Sequence, residues 1–382
     1  MIAHQLFKID ELEQVREVKI KDFTERIESL RKIMEEKHLD LCLLFNRANT
    51  RYFTGLRMNT AASSILAVSQ KDIKYIVARL DLIRAERDCW INNISSFPED
   101  TPDYLTVLND YFNQFNHVKI GIELEELNYK TYQYLQNKLP NAQFTNIAPD
   151  LEHLRMIKTD EEIKIIRKSA KIADKAMQEA LKAAKPGMKE HEITAIALYA
   201  MLREGAENPS FEPFLASGEN SWLPQRFASD KLLKPKELML LDMGGIYQGY
   251  CSDITRTFSV GDPTLEQERL FHEVLKIQQD TIRSLRPGIR AGEVDYIARN
   301  KLQDLGYGEY FPHLTGHGLG LDIHEGPIID KGRNDLLEKN MVLTIEPGVY
   351  LPGVGAVRIE DMVLITENGC EVLTKTERSL FY

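Results

Sequence analysis

Cysteine is scarce in this 382-residue chain. The four present, Cys42, Cys89, Cys251 and Cys370, are scattered and show none of the paired spacings of a zinc site. That excludes a disulfide-stapled fold and a cysteine-built metal centre, and it predicts reduced thiols in the cytoplasm. Cys251 reads as a packing residue, since cysteine is often simply buried. Long apolar runs are missing too: none reaches eighteen residues, so no transmembrane helix is expected. The opening stretch, MIAHQLFKIDELEQ, lacks the apolar centre of a signal peptide. Positive charge is in deficit, and a net charge of −10 argues against nucleic acid and against an anionic membrane as partners. No glycine-rich loop follows an apolar strand in the first 150 residues, which excludes a nucleotide site there.

What is present is ordinary for a soluble protein, with 43% hydrophobic and 28% charged residues. The length calls for two domains. Residues 1–20 are charged and weakly patterned, and suit a solvated tail or helix. Asp22–Lys37 repeats Phe23, Ile27, Leu30 and Met34 along one helical face. Strands are expected in LDLCLLF, ASSILAVS, IKYIVAR, HVKIGIEL and AQFTNIA. Helices are expected over Leu80–Asp88, TPDYLTVLNDYFNQF and NYKTYQYLQNKL. This alternation predicts an α/β N-terminal domain over 1–152, followed by a second domain over 153–382. Thr159 and Glu162 form a capping-box pattern that opens a helix with an apolar stripe at Ile163, Ile166, Ala170, Ala173 and Met177. The stretch Lys185-Pro186-Gly187-Met188-Lys189 recurs as Arg286-Pro287-Gly288-Ile289-Arg290, 101 residues on, each flanked by long helices. Coincidence could produce two such joints, because Pro-Gly is a common breaker. The parallel placement of acids after each copy favours duplication of one α+β unit.

Histidine is concentrated in one place: three of nine, His313, His317 and His324, fall within twelve glycine-rich residues. Histidine is the commonest metal ligand and proton carrier near neutral pH. A glycine-rich turn with backbone-bonded histidines would look alike, so the flanking acids decide. Asp242 ends the apolar run LMLLDMGG, and Asp253 lies in GYCSDITRTF. Glu346 lies in MVLTIEPGVY, and Glu360 in AVRIEDMVLI. A carboxylate inside an apolar β-prone run is costly unless paired or bound to a cation. Four carboxylates with an imidazole suit Mn²⁺ first, with Co²⁺, Fe²⁺ and Zn²⁺ also compatible. They exceed what one tetrahedral zinc takes, whereas two ions bridged by carboxylates and a hydroxide use them all. The turn residues of GGIYQGY suit a hairpin that brings Asp242 and Asp253 together. Strand alternation puts Arg358 and Glu360 on one face and sends Asp361 to the other.

The order Asp, Asp, His, Glu, Glu in LLDMGG, SDITRTF, TGHGLG, TIEPG and VRIED resembles the pita-bread metallopeptidases. These are the Xaa-Pro aminopeptidases, prolidases and methionine aminopeptidases, with creatinase as a relative. The resemblance covers roughly residues 155–380 closely and the first 150 more loosely, through LDLCLLFNRANTRYFTGL. It implies an α+β pita-bread catalytic domain with an internal pseudo-two-fold duplication, and two divalent ions per chain. It implies that Asp242 binds one ion, that Asp253 and Glu360 bridge both, and that His317 and Glu346 complete the other. By the same resemblance a bridging hydroxide attacks the peptide carbonyl, Glu346 shuttles the proton to the leaving nitrogen and His324 meets the substrate. His313 and Arg358 would support the site from behind. The substrate would be a small peptide or amide, and the assembly a homodimer.

Two departures touch the substrate side. Gln225 and Arg226 follow Pro224 where the peptidases carry histidine, and glutamine cannot shuttle a proton. Arg226 could fork onto a carboxylate. Ile328 stands after HEGP where prolidases place arginine, with Arg333 further on. Alternatives are therefore a same-fold hydrolase of a non-peptide C–N bond, as in ectoine hydrolase and creatinase, or a non-catalytic binding relative.

Overall fold

The computed structural model describes residues 21–58, 64–98, 107, 108, 112, 118–224 and 226–381. The chain divides into two compact units, residues 1–154 and 155–382. Among the described residues no helix is long and apolar enough to cross a membrane.

The first unit is an α/β layer on a six-stranded sheet of order β4-β3-β2-β1-β5-β6. The strands are β1 (Leu41–Leu44), β2 (Ser64–Ser69), β3 (Ile73–Ala78), β4 (Ile94–Phe97), β5 (Lys119–Ile122) and β6 (Gln143–Asn146). β1 pairs antiparallel with β2 and parallel with β5, so it sits centrally and is buried along its whole length. That is why its sequence, LCLL, runs apolar without alternation. Helix α1 (21–36) buries Ile27, Leu30 and Met34, as the stripe requires. Helices α2 (Arg47–Thr54), α3 (Leu82–Asp88), α4 (Tyr129–Lys138) and α5 (Ala148–Met156) follow. The helix expected over 101–115 falls mostly outside the described residues, as does the stretch 1–20; 107, 108 and 112 are helical, and Leu108 and Phe112 are buried.

The second unit is built twice over. Helices α6 (Asp160–Ala183) and α7 (Glu190–Arg203) flank Pro186-Gly187, and α8 (Leu265–Ser284) and α9 (Ala291–Asp304) flank Pro287-Gly288. Both glycines have positive φ, 86° and 83°, a conformation that costs an L side chain strain. The Gly187 N–H donates to the Leu233 carbonyl at 2.9 Å, and the Gly288 N–H to that of Leu337 at 2.8 Å. Each half also opens on a reciprocal capping box, Thr159 with Glu162 and Thr264 with Gln267. The internal duplication is thus present down to its hydrogen bonds.

Each half then supplies a sheet. The first has order β12-β9-β8, from β8 (Phe214–Ser217), β9 (Leu238–Met243) and β12 (Ile254–Ser259). A small sheet of β7 (Asn208–Pro209), β10 (Gly245–Tyr247) and β11 (Tyr250–Cys251) lies beside it in sequence. The second half gives order β14-β13-β15-β18-β19, from β13 (Gly316–Gly318), β14 (Glu325–Ile329), β15 (Val342–Ile345), β18 (Asp361–Ile365) and β19 (Cys370–Val372). β16 (Gly348–Leu351) and β17 (Gly355–Arg358) form a separate antiparallel pair. The stretch AVRIEDMVLI is therefore two strands in two sheets rather than one. The joint falls at Ile359-Glu360, where the Glu360 N–H leaves the ladder and donates to the Thr255 carbonyl at 3.2 Å.

Candidate metal centre

The two halves deliver their acids by the same device. In the first, Asp242 stands opposite Thr255 in the β9–β12 ladder, so Asp253, two residues before Thr255, shares its face. Gln248 and Gly249, with φ of 47° and 93°, form the tight turn between β10 and β11, so the expected hairpin is present. Gly244 is required there, because a Cβ would meet the Ser252 carbonyl oxygen at 1.8 Å. In the second half Ile345 stands opposite Asp361, and the same register carried one step further sets Glu346 against Glu360.

His317 enters from β13, whose glycines make room for it: a Cβ on Gly316 would lie 2.0 Å from the Thr344 carbonyl oxygen. Its Nδ1–H donates to the Gly318 carbonyl at 2.9 Å, which leaves Nε2 as a lone-pair donor. That nitrogen lies 3.6 Å from Asp253 and 3.4 Å from Glu346. Ligand atoms of Asp253, His317 and Glu360 all lie within 4.8 Å of one another, and all three residues are buried.

The electrostatics of this cluster are those of a site built for cations. Burial raises the carboxyls of Asp253 and Glu360 well above the usual range, and their acidic neighbours push in the same direction. Burial also raises Asp242 and Glu346, against the pull of Arg358 on both. Asp242 Oδ1 and Asp253 Oδ1 are buried and accept no hydrogen bond. Bare carboxylate oxygens in an apolar interior cost several kcal/mol unless a cation meets them. The donor set of four carboxylates and one imidazole fits two divalent ions.

Around the acids lies a hydrogen-bonded frame. Arg358 donates from Nη2 to Asp242, from Nε to Thr255 Oγ1 at 3.2 Å, and from Nη1 to the Tyr350 hydroxyl at 2.7 Å. Thr255 in turn donates to Glu360 at 2.7 Å, so Arg358 reaches Glu360 through a hydroxyl. His313 gives its Nδ1 proton to the Leu314 carbonyl, and its Nε2 accepts from the Tyr350 hydroxyl at 2.9 Å. Burial, then Arg358, lowers the His313 imidazole to about 3, so it stays neutral. Tyr350 and Thr255 escaped the sequence reading. In the β16–β17 hairpin Tyr350 shares a face with Gly348, which stands opposite Arg358, a register that no local sequence pattern reveals.

His324 is exposed, with its ring centroid 4.3 Å from that of His317. Partial burial and then His317 lower its pKa. Asp361 points away from the cluster to Arg256, Gln278, Thr374 and Arg378, a structural role. Ile328 stands opposite His317 in β14, whereas Arg333 is exposed and gives its carbonyl to the Gly292 N–H. Gln225 lies outside the described residues. Arg226 has a buried Nε without an acceptor. Cys251 is buried, as a packing role requires.

Residues 164–367 match the model of metallopeptidase family M24. The chain belongs to that family. Residues 26–157 match the creatinase/prolidase N-terminal domain, in keeping with the α/β first unit. Among M24 relatives, an Xaa-Pro dipeptidase of Pyrococcus furiosus is 38% identical over 93% of this chain and 99% of its own length. An Xaa-Pro dipeptidase from Bacillus anthracis superposes with TM-score 0.88 at 35% identity, over 94% of this chain and 99% of its own. An X-Pro aminopeptidase from Thermotoga maritima gives TM-score 0.86 at 32% identity, over 93% and 99%. The pita-bread M24 fold with its dinuclear metallopeptidase chemistry is therefore the frame for the cluster described above.

Proposed function

We propose that this M24 peptidase uses two divalent ions to cleave Xaa-Pro bonds, as a dipeptidase or an aminopeptidase. The observation that carries the reading is the pair of bare, buried oxygens on Asp242 and Asp253, set beside buried Glu360, partly buried Glu346 and the His317 lone pair. The names of the relatives supply the bond. In this reading Asp242, Asp253, His317, Glu346 and Glu360 would hold the two ions, with Mn²⁺ preferred. When bound, the ions supply an activated water and a Lewis acid for the carbonyl. Glu346 carries the proton to the leaving nitrogen, and His324 hydrogen-bonds the substrate. Arg358 fixes Asp242, and His313 acts through Tyr350. Gln225 and Arg226 form the substrate side. The same reading makes the protein a cytoplasmic homodimer.

One observation favours a second reading, hydrolysis of a non-peptide C–N bond: Arg226 has a buried Nε without an acceptor, beside Gln225 where peptidases carry histidine. The Mn²⁺-loaded protein, assayed on Xaa-Pro dipeptides, longer Xaa-Pro peptides, ectoine and creatine, separates the two. Cleavage of the peptides is expected; turnover of ectoine or creatine alone would replace the first reading with the second.

A further inference from the structure

Glu190, the first residue of α7, is fully buried, and none of the chemistry above uses it. Its carboxylate is nonetheless saturated. Oε1 accepts from the Ser217 N–H and hydroxyl, both at 2.8 Å. Oε2 accepts from the Ser229 N–H at 3.1 Å and its hydroxyl at 2.6 Å. Asn220 Nδ2 bridges both oxygens at 3.1 Å. A buried carboxylate is tolerated only when its oxygens are met in this way, and the start of a helix adds a favourable field.

What these bonds join is specific. Ser217 and Ser229 are the two ends of one segment, so a single carboxylate closes it. That segment lies against the metal-ligand frame at two further points. Ser221 Oγ accepts from the Ala356 N–H at 3.0 Å, and the Pro224 carbonyl accepts from Arg358 Nη1 at 3.4 Å. Arg358 is the same guanidinium that holds Asp242. Between the pinned ends the segment carries Arg226 and exposes Leu223 and Phe227, 48% and 71% accessible. The exposed part of the segment is thus an apolar rim, Leu223 and Phe227, of the kind that meets the apolar side of a small ligand, while the Arg226 Nε behind it is buried.

We propose that Glu190 is a positioning residue for substrate capture: by holding both ends of the 217–229 segment it sets the wall that receives the peptide beside Arg358 and Asp242. This rests on the Xaa-Pro peptidase reading. In Glu190→Gln the amide NH₂ must face either the Ser217 donors or the Ser229 donors, so one end is released while the shape is kept. A displacement of about 1 Å far from the chemistry can cost up to ~10²-fold. Here the loss should fall on binding. KM for an Xaa-Pro dipeptide should rise about tenfold or more, with kcat changed less than about threefold and metal content equal to wild type. Glu190→Asp, which keeps the charge, should recover part of the loss. Hydrogen exchange of 217–229 should quicken while that of β9 and β12 does not. An unchanged KM with unchanged exchange would overturn the proposal, as would kcat and metal content falling together at constant KM. Should Glu190→Gln not fold, Ser229→Ala removes the 2.6 Å contact to Glu190, along with the hydroxyl's acceptance from Asn220 and the Lys231 N–H at 3.2 Å, and keeps the Ser229 N–H bond; its KM must rise in the same direction or the proposal fails. If the wild type cleaves no Xaa-Pro peptide, the peptidase reading falls; the exchange comparison then decides alone whether Glu190 holds the wall.

Discussion

Asp242 carries the logic of the site in one side chain. Arg358 covers one of its oxygens, and the other is buried and bare. The acids were legible in the sequence because each interrupts an apolar β-prone run, a place where an unpaired carboxylate is costly. The frame was not. Arg358 meets Asp242 across 116 residues and His313 meets Tyr350 across 37, and no local pattern encodes such pairs. Glu190 was hidden for the same reason, since a glutamate opening a helix has an ordinary role at the helix dipole. The departure at Gln225 is itself testable. Gln225→His should raise kcat/KM on Xaa-Pro peptides at equal metal content, within the roughly 10²–10³ that one transition-state hydrogen bond is worth. A clear fall on peptides would instead mark Gln225 as part of a pocket for another substrate.

At the scale of elements, the duplicated helix–Pro-Gly–helix joint was readable as a repeat, because a positive-φ glycine and flanking amphipathic stripes leave a local signature. The capping box at Thr159 was readable too, and its counterpart at Thr264 follows from the duplication. Thr159→Ala and Thr264→Ala should each lower stability by about 1 kcal/mol, within the ~0.5–2 range of such caps, and by similar amounts. Urea midpoints at constant slope measure this; a loss at one cap alone would deny that the two helices begin alike. The break of 355–365 into β17 and β18 was not readable. Alternation predicts which faces Arg358 and Glu360 share, and the structure agrees that both reach Thr255. It does not predict that Glu360 leaves its ladder to do so, because that depends on a carbonyl in the other half.

At the scale of the molecule, the second unit is tied together by buried charge. Glu325, next to His324, accepts from Lys158 at 2.8 Å and from Arg155, which also meets Asp322 at 2.7 Å. Burial pushes the Glu325 carboxyl up, but Lys158 and Arg155 overcome it and hold the group below the usual carboxylate range. A depressed folded pKa gives stability that is present above the unfolded value, near about 4.3, and is lost as pH falls through the folded value. Glu325→Gln should therefore cost about 3–5 kcal/mol at neutral pH, by leaving buried cations unpaired. The gap in Tm between variant and wild type should shrink as pH drops below about 4; a gap independent of pH would show that the pair contributes no charge-dependent stability. Whether the two halves of this unit hold two ions between them is measured by metal analysis of Mn²⁺-reconstituted protein. Two ions per chain at saturation are predicted for the wild type, with Asp253→Ala losing more metal than Asp242→Ala because it removes a bridge. One ion or none in the saturated wild type would contradict the account.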